Sequence, residues 1–251
     1  MRRWALLAAL LALAPTTKAS AQPTLTVFAA ADLAFAFKEI VPQFEQALGV
    51  KVTLVLGSTG NLARQIEHGA PADLFFAADQ GFAERLTARG VLIPETQTFY
   101  AQGRLVLATA RRFGPKLMGL RDLLNPKVRH VAIANPLHAP YGKAAEEALR
   151  KVGVWEALKS KLVYGENIRH ALQFIQSGAA EAGIVALSVT NVPEVGWTLV
   201  DANLHAPLNQ VAAVVRRSSR PELGLAFIQH INGPEGRAIM KRYGFLLPGE
   251  F

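Results

Sequence analysis

The 251-residue chain contains no cysteine. That excludes disulfides, thiolate metal sites, a thiol nucleophile and a lipid-anchor cysteine. Charged residues make up only 18%, and no Lys/Arg run with interleaved aromatics marks a nucleic-acid face. There is no Gly-x-Ser-x-Gly elbow, no His-Glu-x-x-His and no carboxylate pair at acid–base spacing, so nothing points to an enzyme. His68, His130, His138, His170, His205 and His230 show no metal-ligand spacing. The small, hydroxyl-rich loop Gly57-Ser58-Thr59-Gly60-Asn61 lacks the Gly-Lys-Ser/Thr ending of a nucleotide-binding P-loop.

Long apolar runs are scarce too. Trp4–Pro15 is apolar, but a helix of about a dozen residues spans about 18 Å, short of a roughly 30 Å hydrocarbon layer. With Arg2-Arg3 before it and Ala19-Ser20-Ala21 after it, the segment reads as a cleaved export signal, residues 1–21, with a mature chain from about Gln22. Loss of Arg2, Arg3 and Lys18 lowers the formal charge from +8 to +5. An exported chain with neither lipid anchor nor membrane span is expected in a periplasm.

What is present is alternation of strand and helix. Leu25–Ala30 is a continuous apolar run suited to a strand buried on both faces. Leu33, Phe37, Ile40, Val41, Phe44 and Leu48 lie on one helical face closed by Gly49. Strands are expected at Val50–Leu56, Leu74–Ala78, Leu105–Thr109, Val128–Ala134, Leu162–Tyr164, Ala182–Leu187 and Val211–Val215. Helices are expected at Asn61–His68, Gln80–Arg89, Gly142–Val152, Ile168–Ser177, Pro221–Ile231 and Pro234–Arg242. The pattern predicts α/β architecture with mostly parallel strands, in two lobes around a ligand cleft.

Five loops follow apolar strands, where open α/β sheets place ligands. They are Ala31-Asp32, Gly57–Asn61, Asn135–Lys143, Gly165–Ile168 and Ala186–Ser188. Several lead into helices, whose free N–H groups and dipole favour anions. Ser58 and Thr59 can donate to a ligand or merely cap a helix. Asp32 conflicts with an anion. One charge pair at about 4 Å costs about 4 kcal/mol at a dielectric near 20, against about 8–12 kcal/mol for micromolar to nanomolar binding. Asp32 therefore either caps the helix that follows it or faces the ligand. In the second case it needs a protonated ligand, a cation, or Lys143 to relieve the contact.

The chain resembles the periplasmic molybdate-binding proteins of ABC importers, from Leu25 to Phe245. The resemblance is densest at Val27–Ala31, Leu62–Glu67, Gly69–Phe75, Ala78–Gln80 and Lys241–Phe245. It implies a type II two-lobed periplasmic binding-protein fold with mixed sheets: lobe 1 from 22–109 plus 211–251, lobe 2 from 110–210. It further implies a non-enzymatic monomer that binds molybdate or tungstate, uses no resident cofactor, and serves a membrane permease and its ATPase. A protonated oxyanion such as hydrogen phosphate, a cation-bridged anion, or a sensory role are the alternatives. Carried over by position, the family's ligand site falls on Asp32 (a serine in the family), Ser58, Thr59, Tyr141, Ile168 and Ala186. The family has a pocket tyrosine at the last of these, and Tyr141 can return its hydroxyl from a neighbouring turn.

Overall fold

Two five-stranded sheets divide the chain between two lobes in the computed structural model, which describes residues 22–114 and 117–251. The strands are β1 Thr24–Ala30, β2 Lys51–Gly57, β3 Leu74–Ala77, β4 Thr98–Gly103, β5 Leu105–Ala110, β6 Val131–Ala134, β7 Leu162–Gly165, β8 Ala182–Ala186, β9 Val195–Leu199 and β10 Leu208–Val214. The helices are α1 Ala34–Leu48, α2 Thr59–Glu67, α3 Gln80–Ala88, α4 Pro140–Lys151, α5 Trp155–Leu158, α6 Ile168–Ser177, α7 Pro221–Asn232 and α8 Pro234–Arg242. The export-signal expectation falls on residues 1–21, outside the described residues. No helix among those described is long and apolar enough to cross a membrane.

The first sheet runs β2-β1-β3-β10-β4 and the second β7-β6-β8-β5-β9. In each, three parallel strands adjoin one antiparallel strand that the other lobe's chain feeds in or out. β1 lies between β2 and β3, and helices cover both faces of the sheet: Leu25, Val27 and Ala29 pack toward α1 and α7 and Phe28 toward α2, which is why its sequence is apolar on both faces. Phe37, Phe44, Phe76 and Phe227 pack edge to face beneath it, with centroids 4.8–5.8 Å apart. All four are fully buried, each contributing about 1.5–3 kcal/mol of apolar burial. Gly49 ends α1 at φ 64°, a left-handed cap that suits glycine.

The lobe boundary differs from the expected one. β5 pairs with β8 and β9 in the second sheet, so the chain crosses at Arg104, ahead of 109/110. β10 already pairs with β4 at Leu208, ahead of 211. The crossing is hard to read because β4 and β5 are separated by one residue and no turn. Strands β4 and β9 were not expected at all. β9 is an edge strand with exposed Trp197 and Leu199, and its mixed pattern lacks a clear period.

Candidate functional site

β1 and β2 pair in register to their ends, Ala30 opposite Gly57. The turns that follow them therefore leave the sheet side by side. Ala31–Leu33 is a single 3-10 turn leading into α1, and Ser58 leads into α2. Across the cleft stand the starts of α4 and α6. Together they line a small, partly open pocket formed by Asp32, Ser58, Thr59, Tyr141 and Ile168, with small residues such as Ala30, Ala78 and Ala139 between them. No lysine, arginine or histidine lines it. A larger open groove around Arg104, Arg111, Trp197 and Lys241 shares no residue with it.

Five of the six residues singled out from sequence thus meet at one cavity. Ala186 does not: it ends β8 opposite Leu105 and is fully buried in the second sheet. The hydroxyl offered from that region belongs to Ser188, whose Oγ donates to the Asp32 carbonyl at 2.9 Å. Lys143, one of the alternatives for relieving Asp32, lies elsewhere. It lines a separate surface groove with Asp79 and Arg85, so it does not neutralise Asp32.

Asp32 is 1% exposed. Its carboxyl lies near the backbone amides of Asp32 and Leu33 but makes no well-formed hydrogen bond to them. The Tyr141 hydroxyl donates to Oδ2 at 2.9 Å, and the Gln210 amide donates to the same oxygen at 2.7 Å. Gln210 Nε2 also donates to the Tyr141 oxygen at 3.0 Å, closing the triangle. Oδ1 has no hydrogen-bond partner. Burial pushes the carboxyl up from 3.8 to about 6, while the bonds from Gln210 and Tyr141 and the local amides of Asp32 and Leu33 hold it down. Burial and the neighbouring carboxylate push the Tyr141 phenol well above its ordinary value, so it remains a donor.

Sequence reasoning missed Gln210. It is fully buried in β10, where the register slips between it and Val211. Such a bulge re-aims a side chain. The available signal was an amide at the head of the apolar run Val211–Val215, since a buried amide must find partners.

The remaining polar groups are neutral. Thr59 Oγ1 accepts from the Ala78 amide at 3.1 Å, which leaves its own proton free to donate. Ser58 Oγ lies 2.8 Å from His138 Nδ1 and makes no capping bond. Burial lowers the His138 pKa and Arg64 adds to that, with Glu166 opposing, so the ring is neutral at pH 7. Ser58 is free to donate to a ligand when Nδ1 carries the ring proton. In α6, Asn167 Oδ1 caps the Arg169 and His170 amides. In α4, Ala139 O accepts from Gly142 and Lys143. Tyr141 and Ile168 stand one step ahead, where no intrahelical carbonyl reaches the N–H.

The lobes are closed over this cavity. Gly60 N donates to His138 O at 2.9 Å across the cleft, and Arg169 lies over the Phe35 ring at 4.3 Å. A Cβ on Gly60 would fall 2.7 Å from His138 O, and one on Gly103 would fall 2.1 Å from the Tyr141 hydroxyl. Both glycines admit a close approach that any side chain would block.

A small pocket bordered by neutral donors, helix starts and the Asp32 carboxyl, with no cation lining it, is suited to a small anion held by hydrogen bonds once that carboxyl is accommodated. Known proteins agree in kind. The molybdate-binding protein ModA of Azotobacter vinelandii is 36% identical over 226 residues, covering 87% of this chain and 88% of that protein. ModA of Escherichia coli K12 is 34% identical over 237 residues, covering 89% of each. The solved A. vinelandii periplasmic molybdate-binding protein superposes with a TM-score of 0.82 at 30% identity, covering 89% of this chain and 99% of that one. The model of a bacterial extracellular solute-binding protein matches residues 25–246. The chain belongs to the bacterial extracellular solute-binding protein family.

Proposed function

We propose that this protein captures molybdate, with tungstate as its close analogue, in the periplasm and delivers it to the permease and ATPase of an ABC importer. The observation that carries this reading is the pocket between the lobes, lined by Ser58, Thr59, Tyr141 and Ile168 with no lysine, arginine or histidine among its residues; the unpaired amides at the starts of α4 and α6 supply its further donors. Full-length relatives named for molybdate binding support the choice of oxyanion.

The geometry accounts for capture without chemistry. A tetrahedral oxyanion presents acceptors in every direction, so donors from two lobes are satisfied together only when the cleft closes. Helix starts add positive potential without a mobile counter-ion. Donors placed for one anion select by size, because a smaller anion leaves some of them unpaired and buried, at about 1–3 kcal/mol each. The closed form, with α2 seated on the His138 loop, would be the form a permease recognises, with the protein acting as a monomer.

Calorimetric titration with molybdate, tungstate, sulfate and phosphate at pH 6 and pH 7.5 tests this. Molybdate and tungstate should bind at about 1 μM or tighter at pH 6, or roughly −8 kcal/mol. Sulfate and phosphate should bind at least a hundredfold more weakly. Preference for phosphate, or no binding of any of the four, would overturn the reading.

A further inference from the structure

The Asp32 carboxyl is anchored by one oxygen and bare at the other. Oδ2 accepts from Tyr141 and from Gln210. The two Gln210 amide protons go to Oδ2 and to the Tyr141 oxygen, so the single Tyr141 proton goes to Oδ2. This orientation gives each of those protons an acceptor and leaves Oδ2 no need of a proton of its own. Oδ1 is buried, unpartnered and part of a residue that lines the cavity.

No charged group nearby can neutralise Asp32. From β4 and α4 the titratable groups facing it are Tyr100 and Tyr141, both with pKa values pushed well above 10 and so neutral. From β10 it meets the neutral amide of Gln210, and from the turn after β8 the Ser188 hydroxyl. On α6, Arg169 lies over Phe35 and His170 accepts from the Glu166 amide. On α1, Glu39 is paired with Arg242 and Tyr243. His138 bonds Ser58. What remains available to Asp32 is a proton from solvent.

We propose that Asp32 takes up one proton as the oxyanion enters and presents it on Oδ1 as a hydrogen-bond donor to the ligand. This rests on the molybdate reading above. The step balances simply: water or buffer supplies H⁺, the carboxylate becomes a carboxylic acid, and the Oδ1–H takes the donor position that a serine hydroxyl holds in the resembling family. With a pKa of about 6 before any anion arrives, the group is poised for this, and a dianion beside it raises its proton affinity further. Asp32 is then a specificity residue that makes capture favourable in mildly acidic surroundings and weaker in alkaline ones.

The test is titration of native protein and Asp32→Asn with sodium molybdate at pH 6 and pH 8, in pairs of buffers with different ionisation enthalpies. Asparagine keeps an acceptor for Tyr141 and Gln210 and puts an N–H where Oδ1–H would be. Native protein should take up close to one proton per molybdate at pH 8, with affinity falling about tenfold per pH unit above pH 7. Asp32→Asn should bind with no proton uptake, with flat pH dependence, and at least tenfold tighter than native at pH 8. Molybdate binding by native protein without proton uptake at pH 8 would overturn the inference and leave the molybdate reading standing. Equal uptake by Asp32→Asn would place the proton elsewhere and overturn it as well. Absence of molybdate binding by both proteins at both pH values would overturn the reading beneath. The native measurement stands even if the variant fails to fold.

Discussion

The turns after β1 and β2 sit side by side at the ends of strands in full register, yet one presents a carboxylate and the other two hydroxyls. Sheet topology places them side by side, and they differ both in backbone, a 3-10 turn against a direct helix start, and in side-chain chemistry. The hydroxyl turn has one partner near in sequence, Ala78 nineteen positions from Thr59, and one across the cleft, His138, bonded to Ser58. The acidic turn draws its partners from far along the chain, Tyr141 on α4 and Gln210 on the returning strand. A buried charge is retained only where such donors exist, and here they satisfy one oxygen and leave the other to the cavity.

The largest expected effect breaks this comparison at its acidic side. The Asp32 pKa is raised in the folded state, from 3.8 to about 6. The folded state then holds its proton more tightly than the unfolded chain. The stabilisation is complete below about pH 4 and is lost as pH climbs through about 6, an effect of about 3 kcal/mol. Asp32→Asn has no such proton to lose. Glu39, Glu45 and Glu181, whose pKa values are lowered, slope the other way but do so in both proteins. Urea unfolding without ligand at pH 4 and pH 7.5 should show Asp32→Asn gaining about 3 kcal/mol on native between the two. A constant difference would show that Asp32 titrates normally.

Much of this molecule was legible in the sequence, and the gaps have physical causes. Apolar runs such as Leu25–Ala30, and the helical face from Leu33 to Leu48 ended by Gly49, signal their elements through burial and capping, which are local. The Ser58-Thr59, Tyr141 and Ile168 turns were legible because a helix start is a local feature with a fixed consequence for free amides. The crossing at Arg104 was not, because the straight passage from β4 to β5 involves no turn chemistry. Gln210 was hidden for the opposite reason. One polar residue at the end of a strand has no local meaning until a partner 178 positions away is placed beside it. Asp32 was recognised as anomalous, but its choice between capping and the cavity depended on those distant partners.

A smaller effect is expected where the hydroxyl turn meets the opposite lobe. Gly60 is the second residue of α2, where alanine is at least as good a helix former as glycine. Its added Cβ would nevertheless press on the His138 backbone carbonyl at 2.7 Å, an atom that no side-chain rotation can move aside, so the lobes must part to admit it. Gly60→Ala should therefore leave the unligated protein at least as stable in urea while weakening molybdate binding about a hundredfold, or about 2.7 kcal/mol. Unchanged affinity would mean that the contact between Gly60 and His138 is not part of the ligand-bound form.

The smallest effect isolates one hydroxyl, and it sharpens the comparison from the neutral side. Thr59 Oγ1 has two roles in the proposed site: it accepts from the Ala78 amide and keeps a proton for the ligand. Valine preserves the branched shape and removes both. The Ala78 N–H, held in a turn where nearly everything is buried, would lose its partner, at about 1 kcal/mol or more of stability. The ligand would lose one neutral donor, which corresponds to about tenfold in affinity, or about 1.4 kcal/mol. Serine restores the oxygen and its proton without the methyl group, so Thr59→Ser should recover most of the affinity while remaining slightly less stable through lost packing. This pairing separates the roles. If Thr59→Val loses stability and keeps full affinity for molybdate, the hydroxyl only braces the turn. If serine fails to restore binding, the methyl group shapes the cavity and the donor is incidental. Neither change should alter proton uptake on binding, because Thr59 does not titrate in this range; that insensitivity distinguishes the neutral turn from the acidic one beside it.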